Sequence, residues 1–144
     1  NGREAVRRVL RWLSGDNSGL EPSLDGVVPA AAFNLITLAM LAKTPIMPDL
    51  SGHILMVEEV SEHLYAVDRA FFSIANSMPR LAGIRLGAVT AIPENHVEFG
   101  QDEVAIATYW CRRAGIPYLG RAQIGHNSAN SVVPFGLAAP AGAA

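Results

Sequence analysis

The stretch Ile54-Leu55-Met56-Val57-Glu58-Glu59 contains the pattern that decides the fold class. Its apolar residues follow one another without polar alternation, which is typical of a strand buried on both faces of a sheet. After this strand, Ser61 is a good helix N-cap, and apolar residues recur at helical spacing as far as Met78. A second strand is predicted over Ile84–Val89. Strands that alternate with helices in this way predict an α/β domain.

Two further helices are predicted upstream of that strand. The segment Arg3–Ser14 follows the spacing of a helix with one apolar face, which is formed by Val6, Val9, Leu10 and Leu13. The segment Ala30–Lys43 is apolar nearly all round, and Pro29 stands where a first-turn proline is tolerated. We therefore expect a buried helix there, packed on several sides.

The downstream half continues the alternation. Asp102 is placed to cap a helix that runs to Ala114 and ends at Gly115, since glycine readily adopts the left-handed conformation of a helix C-terminus. Ile116–Leu119 and Val132–Phe135 are predicted as further short strands. The whole pattern predicts a single α/β domain of short strands alternating with helices.

Composition excludes several classes of protein. The chain has 144 residues, of which 50% are hydrophobic and 17% charged, so disorder is not its main state. The net charge is −2 and no block of basic residues is present, so the sequence lacks the positive surface that nucleic-acid binding requires. The lone Cys111 excludes an intramolecular disulfide, and the scattered histidines lack metal-ligand spacing, so no metal or cofactor is expected. The most apolar run, Val27–Ala42, is too short to span a membrane, and a soluble protein of a reducing compartment is predicted.

Glu58 and Glu59 are the first candidates for chemistry. They follow a buried strand directly, and in α/β folds ligands meet the carboxyl ends of strands. The alternative is structural, because acidic residues also stabilise the N-terminus of a following helix. Alternation along a strand would place these two side chains on opposite faces of the sheet.

His126 and Asn34 are the other candidates. His126 lies in the loop Gly125-His126-Asn127, where it can serve as a general base or be an ordinary exposed histidine. Asn34 interrupts an apolar segment, so its amide must either bond a neighbouring loop or face a cavity. Glu58 and His126 would form the acid and base of a catalytic triad, but no serine elbow is present to supply the nucleophile.

Several short motifs, taken in order, resemble the C-terminal domain of the LD-carboxypeptidases. The motifs are Phe33-Asn34-Leu35, Lys43-Thr44-Pro45, Pro48-Asp49, Gly52–Val60, Glu62, Tyr65, Asp68-Arg69, Gly83–Gly87, Ile116-Pro117, Gly120, Gly125-His126, Asn130 and Pro134-Phe135-Gly136. Each is weak alone, but their order is specific, and the likeness covers most of the chain.

The resemblance implies a serine peptidase that removes the terminal D-alanine from the murein tetrapeptide during cytoplasmic cell-wall recycling. Its Ser-Glu-His triad would take its acid from Glu58 and its base from His126, with Glu59 as a competitor for the role of the acid. Asn34 would be a substrate-pocket residue, although Ala32 and Phe33 stand where the family usually has glycines. The implied fold is the swivelling β/β/α domain of that family.

The resemblance also implies a division of the chain. Residues 1–26 would be a helix and linker left from a preceding N-terminal domain, 27–136 the LD-carboxypeptidase-like domain, and 137–144 a flexible tail. The nucleophilic serine would lie in that N-terminal domain, so this chain alone is expected to be inactive. Its partners would be the peptide substrate and its own N-terminal domain, and a homodimer stays open. The alternatives are an immunity peptidase of the microcin C type and a non-catalytic module that binds muropeptides.

Overall fold

The computed structural model describes residues 2–94 and 96–142, which fold around a four-stranded parallel sheet in the order β1-β2-β3-β4. The strands are β1 (Ala30–Asn34), β2 (Ile54–Val60), β3 (Gly83–Thr90) and β4 (Tyr118–Arg121), and the helices are α1 (Gly2–Leu13), α2 (Leu35–Leu41), α3 (Leu64–Ser77) and α4 (Glu103–Ala114). Strands and helices alternate from β1 onward, as the sequence predicted. The α/β fold class is therefore confirmed.

The two faces of the sheet are covered differently. One face packs against α2, α3 and α4, in a core that includes Leu55, Val57, Phe71 and Ile106. The opposite face carries a smaller core in which Met56 packs with residues outside the helices of the first face. These residues are Leu20, Leu24, Ala30 and Ile124. Because side chains alternate along β2, even-numbered residues point towards this second, loop-covered face.

The predicted helix over Ala30–Lys43 is wrong in its first third. Ala30–Asn34 is the edge strand β1, paired in parallel with β2, and only Leu35–Leu41 is helical. The change occurs at Asn34, whose backbone is extended and whose side chain caps α2 by accepting a hydrogen bond from the Thr37 amide. A short buried apolar run has no helical or strand period of its own, so periodicity could not separate the two structures.

Three other boundaries also differ from the sequence prediction. Ser61 has a φ of 63° and is not a helix N-cap; α3 is preceded instead by His63, which makes no side-chain capping bond. The strand predicted over Ile116–Leu119 is β4, which starts at Tyr118. Val132–Phe135 is not a strand, since Val132 makes only an isolated bridge with Leu20.

Helix α4 matches its prediction residue by residue. The Asp102 side chain accepts from the amide of Ala105 at 2.7 Å, and Gly115 ends the helix in the left-handed conformation with a φ of 69°. Both signals are local, because each depends on one side chain and a few neighbouring backbone groups. Local signals of this kind place helix ends accurately.

Helix α1 contacts the domain with a different face from the one its hydrophobic pattern suggested. Ala5, Arg8 and Trp12 are its partly buried residues. The apolar stripe that the sequence pattern identifies is exposed, with Leu13 67% and Leu10 56% accessible. The docked face is thus the one that carries Arg8.

The segment after α1 belongs to the core of the domain. Leu20 and Leu24 are buried, and the carboxylate of buried Glu21 accepts from the amides of Ser23 and Gln123. The division at residue 26 and the tail over 137–144 stay predictions, and the tail's last two residues, like Asn1, lie outside the described residues. In the described part of the chain, no helix is long and apolar enough to cross a membrane.

Candidate active site

The structure brings Glu58 and His126 together, although 68 positions separate them in the sequence. Nδ1 of His126 lies 2.7 Å from Oε2 of Glu58. The Glu58 side chain is only 11% exposed, whereas that of His126 is 56% exposed. A carboxylate only accepts hydrogen bonds, so Nδ1 is the donor in this contact, and in the neutral ring Nε2 keeps a free lone pair. The pair has the arrangement of a general base oriented by a buried acid.

Two glycines allow the His126 loop to approach the sheet this closely. A Cβ atom at Gly87 would lie 2.5 Å from Cγ1 and 2.7 Å from the carbonyl oxygen of Ile124, and 3.0 Å from Cβ of Glu58. A Cβ at Gly125 would lie 2.7 Å from Cβ of Ala88. With glycine at both places, the Ile124 carbonyl accepts from the Ala88 amide at 2.8 Å. This contact sets His126 beside the carboxyl end of β2.

Hydrogen bonds, not burial, hold the rest of the loop, since residues 126–129 are exposed. The Asn130 side chain accepts from the Gly125 amide at 3.1 Å, and the Asn127 side chain accepts from the Ala129 amide at 2.9 Å. The Ser131 amide donates to the Gln123 carbonyl at 2.8 Å, which closes the base of the loop. The loop is therefore a small polar scaffold that presents one imidazole.

Glu59 lies on the other face of the sheet, as strand alternation predicts. Its Oε2 accepts from the Ile36 amide at 2.9 Å, and its Oε1 accepts from the Val60 amide and from Nδ2 of Asn34. This buried carboxylate thus fixes the first turn of α2 against β2. Of these two carboxylates, the one that contacts His126 is that of Glu58.

Asn34 has the structural role and faces the cavity as well. Its Nδ2 donates to Glu59 at 2.8 Å, while its Oδ1 accepts from the amide and the hydroxyl of Thr37. The residue also lines the same cavity as Glu58 and His126. The amide therefore bonds a carboxylate of β2 and the first turn of α2 and not a neighbouring loop, and its role as a substrate-pocket residue stays a prediction.

An open cavity of about 470 Å³ adjoins the Glu58–His126 pair. Its wall combines apolar side chains with the polar groups of the His126 loop, and the start of α1 completes the rim through Gly2 and Ala5. Such a mixture of apolar surface and a few convergent polar groups is typical of small-ligand sites. Ser131 lines the cavity, but within the described part of the chain no serine hydroxyl is hydrogen-bonded to His126.

Sequence reasoning missed three residues that organise this region. Arg8, Glu21 and Gln123 all bond backbone groups of the 123–130 segment. Arg8 shares the spacing of Ala5 and Trp12 on α1, which was the available signal for a second inward face. Across residues 2–94 and 96–142, no group of three or more His, Cys, Asp or Glu side chains is placed to hold a metal ion.

Comparisons with known proteins identify the family of this arrangement. The family model of the LD-carboxypeptidase C-terminal domain matches residues 30–140. The muramoyltetrapeptide carboxypeptidase from Oxalobacter formigenes superposes with a TM-score of 0.68 at 31% identity, covering 76% of this chain and 39% of its own.

Two further solved structures share the fold at lower identity. The microcin C7 self-immunity protein MccF has a TM-score of 0.52 at 21% identity, with 74% of this chain and 31% of its own covered. An MccF-like protein from Bacillus anthracis str. Ames has a TM-score of 0.50 at 25% identity, with 69% and 31% covered. The chain thus spans well under half the length of these proteins. The matched residues, which make up most of the chain, show that it belongs to the LD-carboxypeptidase C-terminal domain family.

Proposed function

We propose that this chain supplies the acid and base of a serine-type LD-carboxypeptidase that releases the terminal D-alanine of the murein tetrapeptide. The observation that carries the proposal is the 2.7 Å contact between His126 Nδ1 and Glu58 Oε2 at the edge of an open cavity. The structural neighbour at 31% identity is a muramoyltetrapeptide carboxypeptidase, which supports this choice of substrate.

The proposed chemistry follows from the free Nε2 of His126. Nε2 takes the proton of a serine hydroxyl as the serine oxygen attacks the carbonyl carbon of the L,D peptide bond. The resulting imidazolium then gives that proton to the departing amino group of D-alanine, which leaves an acyl-enzyme. Water repeats the sequence, with Nε2 again as the base, and releases the tripeptide. Glu58 holds the ring by Nδ1 and stabilises its charged form in both halves.

We place the nucleophilic serine on an N-terminal domain, so that the triad assembles across a domain interface. Two observations support this placement. The chain spans 39% of the length of the tetrapeptide carboxypeptidase that it resembles, and α1 exposes an apolar stripe beside the cavity rim. Residues 2–142 alone are then expected to bind the peptide without cleaving it, and the complete enzyme would act in cytoplasmic cell-wall recycling.

D-alanine release from a murein tetrapeptide tests the proposal. The protein that carries the serine domain is compared with its His126→Ala and Glu59→Gln variants, and with the chain of 144 residues alone. We expect release by the parent, a loss of about 10³-fold or more with His126→Ala, and retained activity with Glu59→Gln, because only the first removes a triad member.

Two results would redirect the proposal. Release that survives His126→Ala would remove this residue as the base. No release by the parent, together with cleavage of a microcin C-type peptide-nucleotide, would assign the immunity activity instead; binding of the tetrapeptide without cleavage of either substrate would indicate a muropeptide-binding module.

A further inference from the structure

We propose that Arg8 of α1 is a positioning residue for His126. Its guanidinium donates through Nη1 to the carbonyl of Asn130 at 2.7 Å and through Nη2 to the carbonyl of Ser128 at 2.6 Å. Both acceptors belong to the loop that carries His126, and Arg8 reaches them from more than a hundred residues away in the sequence. The helix thus holds the loop by a bidentate, charge-assisted contact.

The loop depends on such contacts because it has little apolar burial of its own. Three consecutive carbonyls, those of residues 128, 129 and 130, each accept from a side chain outside the stretch. Arg8 supplies two of these bonds and Gln123 supplies the third, at 3.1 Å to the Ala129 carbonyl. Asn130 also accepts from the Gly125 amide, so the contact with Arg8 is transmitted directly to the residue before His126.

The geometry favours arginine over any other residue at position 8. The planar guanidinium presents two parallel donors, whereas a lysine ammonium is a point charge that cannot span two carbonyls in the same way. Gly19 also packs closely against the base of the Arg8 side chain, since a Cβ added at Gly19 would lie 3.0 Å from Cβ of Arg8. This packing and the planar guanidinium together define where the loop lies.

The consequence for catalysis rests on the proposed function, but the positioning itself can be tested without substrate. In the 144-residue chain, nitrogen-15 NMR of the imidazoles reports which ring nitrogen of His126 carries the proton, with assignment by a His126→Gln variant. The unaltered chain is expected to show a single Nδ1–H form with a proton protected from exchange. Arg8→Gln is expected to lose that protection and to give a mixture of tautomers, and Arg8→Lys to lie between.

Arg11→Gln is the matched control, because it removes the same charge from an exposed position of the same helix. It should leave the His126 spectrum unchanged. In the serine-bearing enzyme, Arg8→Gln should lower kcat by about 10–100-fold with little change in KM, as expected when a catalytic group is misplaced by about 1 Å. Partial recovery with Arg8→Lys supports the positioning role.

The outcomes separate the two proposals. A changed tautomer in Arg8→Gln, with an enzyme that never cleaves the tetrapeptide, supports the positioning and contradicts the function. A single protected Nδ1–H form in Arg8→Gln overturns the positioning, whatever the activity. If Arg8→Gln does not fold, Arg8→Lys decides: a spectrum identical to that of the unaltered chain overturns the proposal.

Discussion

Replacing Gly87 with alanine should separate His126 from Glu58 without substituting either residue. The added Cβ would lie 2.5 Å from Cγ1 of Ile124 and 2.7 Å from its carbonyl oxygen, against an ordinary carbon–carbon contact of about 3.5–4.0 Å. Ile124 is buried, so it cannot swing into solvent. The 124–126 segment must therefore move outward by about 1 Å to restore normal contact distances.

The cost has two components of known size. Overpacking of a buried site costs about 1–3 kcal/mol. Displacing Ile124 also weakens the 2.8 Å bond from the Ala88 amide, which contributes about 1 kcal/mol. Alanine in a strand regains about 0.5–1 kcal/mol over glycine, so the net loss of unfolding free energy is about 1–3 kcal/mol. A 1 Å displacement of the base should in addition lower kcat by about 10²-fold in the serine-bearing enzyme.

Gly83→Ala provides the control on the same strand. Its Cβ would meet Leu119 at 2.5 Å, at the opposite end of β3, so a similar overpacking arises away from His126. Urea unfolding should show a stability loss in both variants, whereas only Gly87→Ala should lose the protected Nδ1–H signal of His126 and its activity. If Gly87→Ala and Gly83→Ala lose stability but both keep the signal, the close approach at Gly87 does not position the base.

Three further predictions concern the carboxylates, the thiol and a helix cap. Glu58→Gln should lower kcat by up to about 10⁴-fold by altering the tautomer of His126, while Glu59→Gln should cost about 1–3 kcal/mol of stability and leave the His126 spectrum unchanged. Burial raises the pKa of the Cys111 thiol to about 11 from 9.0, so alkylation at pH 8 should be about 100-fold slower than for a free thiol. Because the pKa of this thiol is higher in the folded state, its contribution to stability is complete below pH 9 and is lost as the pH rises through 11. Urea unfolding midpoints of the unaltered chain, measured across this pH range and compared with those of Cys111→Ala, will show the loss. Asp102→Ala should lower the unfolding free energy by about 1 kcal/mol, measured by urea unfolding, and should leave the activity unchanged.

The fold could be predicted from the sequence wherever the signal was local. Helix α4 was placed correctly because Asp102 and Gly115 act through one side chain and one backbone conformation. The segment from Ala30 was not, because three alanines and a phenylalanine favour no period, and the choice of strand depends on pairing with β2. That pairing is a contact between residues about 24 positions apart, as in the register of Ala30 with Ile54. The pattern of one segment holds no information about such a pairing with a distant strand.

The candidate site shows the same difference between features set by local sequence and features set by distant contacts. The sequence predicted Glu58 and Glu59 on opposite faces, and the structure places them so, because alternation is a property of one strand. The partner of each carboxylate was beyond that reasoning. Glu59 binds the start of α2, and Glu58 binds an imidazole that a loop brings from the far edge of the sheet. The sequence suggested the pairing of Glu58 with His126 only by analogy with the acid and base of a triad, and the likeness to a family supported it, whereas Arg8 belonged to none of the motifs.

The positions of Arg8 and Gly87 explain why an exposed loop can carry a well-placed base. A loop of small polar residues has little apolar area to bury, so its conformational entropy is opposed mainly by hydrogen bonds of about 1 kcal/mol each. At one end of the loop, Gly87 has no side chain that would clash with Ile124, so the loop can pack against β3. At the other end, Arg8 binds two carbonyls of the loop. His126 lies between these points, with 56% of its side chain exposed. The imidazole is therefore held in place while its side chain stays accessible, which is the geometry that the proposed role of His126 as a general base requires.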